Sequence, residues 1–163
     1  MNNEMTIEFD AISENESFSR MAVAAFIMSL NPTLEELSDV KTAVSEAVTN
    51  AIIHGYGNYR GYEKGPYEKK QMPVNEGKVY MHCRIVGDVV FIDVIDKGTG
   101  IVDLEQAMEP LFTTKPELDR SGMGFAFMEA FMDDLEVESV PGEGTKIHMI
   151  KKIGISPWVH EGE

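Results

Sequence analysis

The chain has 163 residues and a formal net charge of -14 at pH 7, which is enough length for one domain with a substantial core and too little for two. The strong negative charge argues against duplex DNA or an anionic membrane as a partner. No apolar run approaches the ~20 residues that span a bilayer, residues 1–5 do not resemble a signal peptide, and the single cysteine excludes an intramolecular disulfide. We therefore expect a cytoplasmic globular protein.

The first part of the chain predicts a strand followed by two helices. Residues 5–11 alternate between apolar and polar, as in a half-buried strand. Ser13 and Glu16 have the spacing of a capping box, so a helix is expected from there to about Leu30, stopped by Asn31-Pro32. The apolar stripe of this helix is predicted to be Phe18, Met21, Ala22, Ala25, Phe26 and Met28, with Arg20 away from its centre.

Thr33 and Glu36 form a second capping-box pattern, which predicts a helix to about His54 that Gly55 ends. Its apolar stripe is Leu37, Val40, Val44, Val48 and Ala51. Glu46 and Asn50 are four residues apart and share one face of this helix. On spacing alone, a solvated pair of polar side chains is the more ordinary interpretation of these two residues, and a ligand site is the alternative.

Residues 55–77 lack both strand and helix periodicity and are rich in glycine, tyrosine and lysine. We expect a long inserted loop here. Its aromatic and basic residues could bind nucleic acid or a protein partner, but a tolerated insertion is the preferred interpretation.

Two strands are predicted at 78–86 and 89–96, joined by a Gly87-Asp88 hairpin turn. The second is almost continuously apolar and ends in Asp96, followed by Gly98 and Gly100. A carboxylate fixed at the end of a buried strand and followed by glycines is typical of a binding pocket; a plain turn is the alternative. Asp103 is expected to cap a short helix, and two further strands are predicted near 135–140 and 145–150.

A polar, charged segment from Leu111 to Ser121 leads into Gly122-Met123-Gly124 and then into an apolar run that predicts a helix. The N-terminus of a helix offers free backbone N–H groups and the positive end of the helix dipole, which together favour an anion. Glycines there allow close approach of a phosphate, although tight packing alone also explains them.

The order Glu46/Asn50, Asp96-x-Gly98-x-Gly100, Gly122-x-Gly124 and Gly144-Thr145 resembles the four nucleotide-binding boxes of the Bergerat-type (GHKL) ATPases. Within that superfamily, residues 15–18, 44–56 and especially 110–125 resemble the sporulation anti-sigma F factors, over about residues 4–150. The resemblance implies a two-layer α/β sandwich with a mixed sheet covered on one face by helices. The domain is expected at 1–152, with a flexible tail at 153–163.

The resemblance also implies roles for single residues. Asp96 would accept a hydrogen bond from the adenine 6-amino group, Asn50 would ligate Mg²⁺, and Glu46 would act as the general base. The other residues implied to bind ATP or ADP are Gly98, Gly100, Thr113, Lys115, Arg120, Ser121, Gly122, Met123, Gly124 and Thr145.

The partners implied are a sigma factor that the chain sequesters, an anti-anti-sigma factor that it phosphorylates on serine, and a second copy in a homodimer. Arg20 would lie on the docking surface, whereas the residues alone suggest a solvated helix charge. Two alternatives remain: a binding module in which ATP only shapes the sequestering surface, and a detached histidine-kinase ATPase half.

Overall fold

A computed structural model describes residues 1–57, 77–109 and 123–154. Five strands form one sheet: β1 (Asn2–Asp10), β2 (Lys78–Val86), β3 (Val89–Asp96), β4 (Asp134–Val140) and β5 (Gly144–Lys152). The helices are α1 (Glu14–Ile27), α2 (Leu34–Asn50), α3 (Leu104–Ala107) and α4 (Gly124–Phe131). A short 3₁₀ segment, Met28–Leu30, extends α1, and a π-helical segment, Ala51–Gly55, extends α2. No helix in these ranges is long and apolar enough to cross a membrane.

The two-layer α/β sandwich is confirmed, but the prediction of a mixed sheet is wrong for the described strands. The strand order is β1-β2-β3-β5-β4, and every neighbouring pair is antiparallel. The connection from β3 to β4 includes α3 and α4, and β4 runs parallel to β3. The two strands are not neighbours in the sheet, because one strand lies between them. Strand β5 fills that position and runs antiparallel to both neighbours, so the two parallel strands never pair.

The core lies between the sheet and the helices. From β2 it receives Val79, Met81, Cys83 and Ile85, and from β3 it receives Val90, Ile92 and Val94, all alternate residues on one face of the sheet. Helix α2 covers this face with Val40, Ala43, Val44, Ala47 and Val48, which confirms most of the predicted stripe. Ile153 is also buried, so the core continues one residue past the predicted domain end at 152. The rest of the predicted tail, from 155 onward, lies outside the described residues.

The buried face of α1 overlaps the predicted stripe only at Ala22 and Phe26, which are partly buried against the core. Its buried residues are Ser19, Val23, Ala24 and Ile27. The side chains of Phe18, Met21 and Met28 are instead more than half exposed. The sequence could not distinguish the faces because this helix carries apolar residues on nearly every side.

Lys151, a buried residue on β5, contacts both α4 and α2. Its Nζ donates a hydrogen bond of 2.7 Å to the Phe131 carbonyl at the end of α4 and lies 3.6 Å from Asp39 Oδ2 on α2. A cation at a helix C-terminus is favourable because it meets free carbonyls and the negative end of the helix dipole. The helix that begins at Gly124 is thereby fixed at its far end.

The two predicted capping boxes have different outcomes. Thr33 accepts from the Glu36 N–H, and Glu36 accepts in return from the Thr33 N–H, so the second box is confirmed. Ser13 has helical backbone angles and makes no side-chain capping bond, so the first box is wrong even though the helix begins where predicted.

This difference supplies a matched pair of variants. We expect Thr33→Ala to lower the free energy of unfolding by about 1 kcal/mol, because it leaves a helix N–H without its partner. Ser13→Ala removes no capping bond and is expected to change it by less than about 0.5 kcal/mol. Urea unfolding followed by circular dichroism measures both; equal losses would contradict the assignment of the caps.

Candidate functional site

The elements enclose a cavity of about 350 Å³ between the end of the sheet and the helices. That volume is in the range of small-molecule sites. Its lining residues come from the end of α2, the turn after β3, the region of α3, the start of α4 and the start of β5: Asn50, Ala51, His54, Gly55, Asp96, Thr99, Gly100, Ile101, Val102, Asp103, Gln106, Ala107, Glu109, Met123, Gly124, Phe125, Ala126, Thr145 and Ile147.

Asp96, the last residue of β3, is only 6% exposed. Its Oδ1 accepts a 2.9 Å hydrogen bond from the Gly98 N–H, which helps to fix the plane of the carboxylate. Burial raises the pKa of Asp96 above its ordinary value, although hydrogen bonds with the Gly98 and Thr145 backbones oppose the shift. The pocket therefore presents a positioned acceptor in a desolvated setting.

Thr145 lies directly across the sheet from Asp96. Its hydroxyl is 2.8 Å from the Ser139 hydroxyl on β4. Ser139 Oγ also accepts from the Ile101 N–H at 2.7 Å, so it connects Thr145 to the segment after Gly100. Ser139 is not among the predicted site residues, although its place on the inward side of β4, after Leu135 and Val137, was the available signal.

Gly98 and Gly100, which follow Asp96, are required because other backbone segments pack closely against them. A Cβ on Gly98 would collide with the carbonyl oxygen of Gly55, and one on Gly100 would collide with that of Val140. Gly100 also has φ +70°, which favours glycine. Gly100 lines the cavity and Gly98 does not, so Gly98 acts through its N–H on Asp96.

Helix α2 brings Glu46 and Asn50 to the start of α4. A methyl group placed on Gly124 would lie 3.2 Å from Glu46 Oε2 and 3.2 Å from Asn50 Nδ2. A side chain at 124 would thus occupy the space beside both polar groups. Met123 and Gly124 stand at the N-terminus of α4, and both line the cavity.

The structure therefore brings together seven predicted site residues from separate parts of the chain: Glu46, Asn50, Asp96, Gly100, Met123, Gly124 and Thr145. Thr113, Lys115, Arg120, Ser121 and Gly122 lie outside the described residues. Arg20 lies on α1, apart from the cavity lining.

Within the described ranges, no group of three or more His, Cys, Asp or Glu side chains could hold a metal ion. Mg²⁺ commonly takes only one or two protein oxygens and completes its shell with phosphates and water. The Asn50 side-chain oxygen beside the Glu46 carboxylate fits that mode, in which the metal comes with a phosphorylated ligand.

The edges of the predicted inserted loop are part of the fold. Gly55 ends the π-helical segment and lines the cavity. The Tyr56 hydroxyl donates a hydrogen bond to the Lys78 carbonyl and accepts one from the Lys97 N–H. Residues 55, 56 and 77 therefore contact the fold, whereas residues 58–76 lie outside the described residues, so the inserted loop stays a prediction.

Comparison with known proteins finds relatives that match nearly the whole chain. The family model for a histidine kinase-like ATPase domain matches residues 14–151. The anti-sigma F factors of Bacillus licheniformis and Bacillus subtilis are each 51% identical over 156 residues, which is 96% of this chain and 97% of each relative. That of Clostridium beijerinckii is 53% identical over 153 residues, or 94% of this chain and 96% of the relative.

A crystal structure of the RsbU and RsbW domains of a Mycobacterium tuberculosis protein superposes with a TM-score of 0.60 at 19% identity. The match covers 93% of this chain and 32% of that one. At this identity the likeness concerns the fold alone.

The burial of Asp96 has a consequence for stability. Between the ordinary Asp pKa of about 3.9 and the raised value, the folded state holds more protons than the unfolded state, so stability falls as pH rises through that window. We expect Asp96→Asn to make the unliganded protein more stable than the wild type at pH 7, with the gain disappearing toward pH ~4. Urea unfolding across this range measures the difference.

Asp88→Asn is the control, because the side chain of Asp88 is 60% exposed. It is expected to leave the profile near that of the wild type. If Asp96→Asn is no more stable than the wild type at pH 7, burial of the Asp96 carboxylate does not carry the proposed cost in folding free energy.

Proposed function

The chain belongs to the anti-sigma F factor family and contains its histidine kinase-like ATPase domain; on that basis we propose that it sequesters a sporulation sigma factor and is an ATP-dependent protein-serine kinase of an anti-anti-sigma antagonist. The observation that carries the proposal is the convergence of Asp96, Thr145, Asn50 and Gly124 on one cavity, with Glu46 beside Gly124 at its edge. Such a chain works in the cytoplasm, where sigma factors act, without direct contact to nucleic acid or a membrane.

Asp96 would recognise the adenine base of the nucleotide. Its carboxylate accepts a hydrogen bond from the 6-amino group of adenine, whereas guanine presents an acceptor at that position and would leave both acceptors unpaired. Sites that hydrogen-bond a substrate group reject analogues lacking it by as much as ~10⁴. The apolar lining from Ile101, Val102 and Ile147 suits the faces of a flat base.

The phosphates would lie toward α4. Met123 and Gly124 offer backbone N–H groups at the helix N-terminus, and Ser121, Gly122, Thr113, Lys115 and Arg120 are proposed to complete this contact. The Asn50 side-chain oxygen would hold Mg²⁺, which would offset the charge of the phosphates in a protein of net charge -14.

Glu46 is proposed as the general base. It stands one helical turn from Asn50 and beside Gly124, close to where the terminal phosphate would lie. The serine Oγ of the antagonist attacks the γ-phosphorus in line, the bond from that phosphorus to the β,γ-bridging oxygen breaks, and ADP leaves. The serine proton passes to the Glu46 carboxylate.

Helix α1 is proposed to carry the protein contacts. Phe18, Met21 and Met28 expose large apolar surfaces there, and such patches mark interaction sites. We assign this face to a second copy of the chain. Arg20 lies on the same helix, with its Nε 3.8 Å from Glu16 Oε1, and is proposed to meet the sigma factor and the antagonist at the edge of that face.

The kinase assignment predicts a selective loss in Glu46→Gln. We expect ATP binding within about twofold of the wild type, because the amide keeps the shape of the side chain, and phosphotransfer lower by about 10²–10⁴-fold, because the base is lost. Radiolabelled ATP, Mg²⁺ and the antagonist, followed by phosphoamino-acid analysis, measure the transfer. Glu36→Gln, a change on the same helix in the capping box, is the control.

Undiminished transfer by Glu46→Gln would contradict its role as the base. Absence of label on the antagonist with the wild type would favour the binding module without turnover. Acid-labile label on histidine would favour the detached histidine-kinase half.

The dimer assignment predicts that Met21→Glu produces a monomer, because two charges would be buried in the contact. Light scattering after size exclusion measures the mass. Leu34→Glu places the same charge at an exposed position at the start of α2 and is expected to remain dimeric. A wild type that is monomeric, or a Met21→Glu variant that stays dimeric, would contradict the assignment.

A further inference from the structure

Three consecutive residues after α2 bind the turn that follows Asp96. The His54 carbonyl accepts from the Thr99 hydroxyl at 3.2 Å, and the Gly55 carbonyl accepts from the Thr99 N–H at 2.9 Å. The Tyr56 hydroxyl accepts from the Lys97 N–H at 2.7 Å. The turn is therefore held from outside by groups that belong to the end of one helix.

The Tyr56 hydroxyl also donates a 2.7 Å hydrogen bond to the Lys78 carbonyl at the start of β2. Val79 faces Asp96 across the β2–β3 ladder, so Lys78 and Lys97 are the next residues beyond that pair. The phenol thus bridges two backbone groups at the point where the strands part. The chain leaves the β2–β3 ladder immediately after Asp96, and the Tyr56 hydroxyl links the Lys97 N–H to the Lys78 carbonyl at that point.

The ring of Tyr56 is fixed as well as its hydroxyl. A Cβ on Gly77 would lie 2.5 Å from the ring, so the ring packs against bare backbone. Burial raises the pKa of Tyr56, with the nearby Asp96 charge adding to the effect. The hydroxyl therefore keeps its proton at neutral pH and remains a donor to the Lys78 carbonyl.

From these contacts we infer that Tyr56 is a positioning residue for base recognition: its hydroxyl fixes the Lys97 N–H and thereby the direction in which the adjacent Asp96 presents its carboxylate. The inference rests on the proposed adenine nucleotide site and extends it to a residue outside the family's nucleotide-binding boxes. Without the hydroxyl, the Lys97 N–H loses its partner, and the Asp96 turn is no longer held at that end.

The test compares ATP with purine riboside triphosphate, which lacks only the 6-amino group that Asp96 would bind. Calorimetry gives the ratio of the two dissociation constants. For Tyr56→Phe we expect this ratio to fall by about tenfold, through weaker ATP binding, with purine riboside triphosphate little changed. A purely structural role would weaken both ligands equally and leave the ratio unchanged.

Tyr80→Phe makes the same chemical change on β2, and we expect it to keep the wild-type ratio. Gly77→Ala is a second variant; its methyl group would displace the Tyr56 ring, and it should lower the ratio in the same way. An unchanged ratio in both Tyr56→Phe and Gly77→Ala would overturn the inference. A wild type with no preference for ATP would overturn the proposed site itself, and this role of Tyr56 with it.

Discussion

The site depends on a close backbone approach between the end of α2 and the turn after β3. Gly98 packs against the Gly55 carbonyl, and the carboxyl group of Asp96 lies where a Gly55 side chain would be, 2.8 Å from the position of its Cβ. Neither contact tolerates a larger residue on its glycine without movement of the backbone. Because α2 also carries Glu46 and Asn50, this approach sets the distance between the base-binding and the phosphate-binding ends of the cavity.

The π-helical segment contributes to that approach. It follows Asn50 directly and contains His54 and Gly55, whose carbonyls bind the turn after Asp96. Segments of this type are frequent at functional sites. One helix thereby serves two parts of the cavity, with its α-helical portion directed toward α4 and its π-helical end directed toward β3.

Charge is the second constraint, since an acidic chain must accept a polyanion. In the described part of the cavity, the amide of Asn50 and the N-terminus of α4 are the groups that favour an anion. Asp103 and Glu109 also line the cavity, and Glu46 Oε2 lies 3.2 Å from the Cβ position of Gly124. A phosphate bound there would therefore need a cation to offset these carboxylates.

Much of this arrangement could be predicted from the sequence, because glycines and polar residues at fixed offsets carry strong local signals. Asp96, Asn50, Gly124 and the Thr33 cap are of this kind. The buried face of α1 could not be predicted, since the helix is apolar on several sides and only its packing selects one. The roles of Ser139 and Tyr56 depend on contacts between distant segments, and the position of β5 between β3 and β4 is a property of the whole sheet.

These separated residues are proposed to form one adenine-nucleotide pocket, and isothermal titration of ATP with Mg²⁺ into the wild type and into Asp96→Asn is the sharpest test. We expect saturable binding to the wild type and affinity lower by about 10²-fold in the variant, because an amide donor would then face the 6-amino group. No heat of binding with the wild type, or equal affinity in the variant, would contradict it.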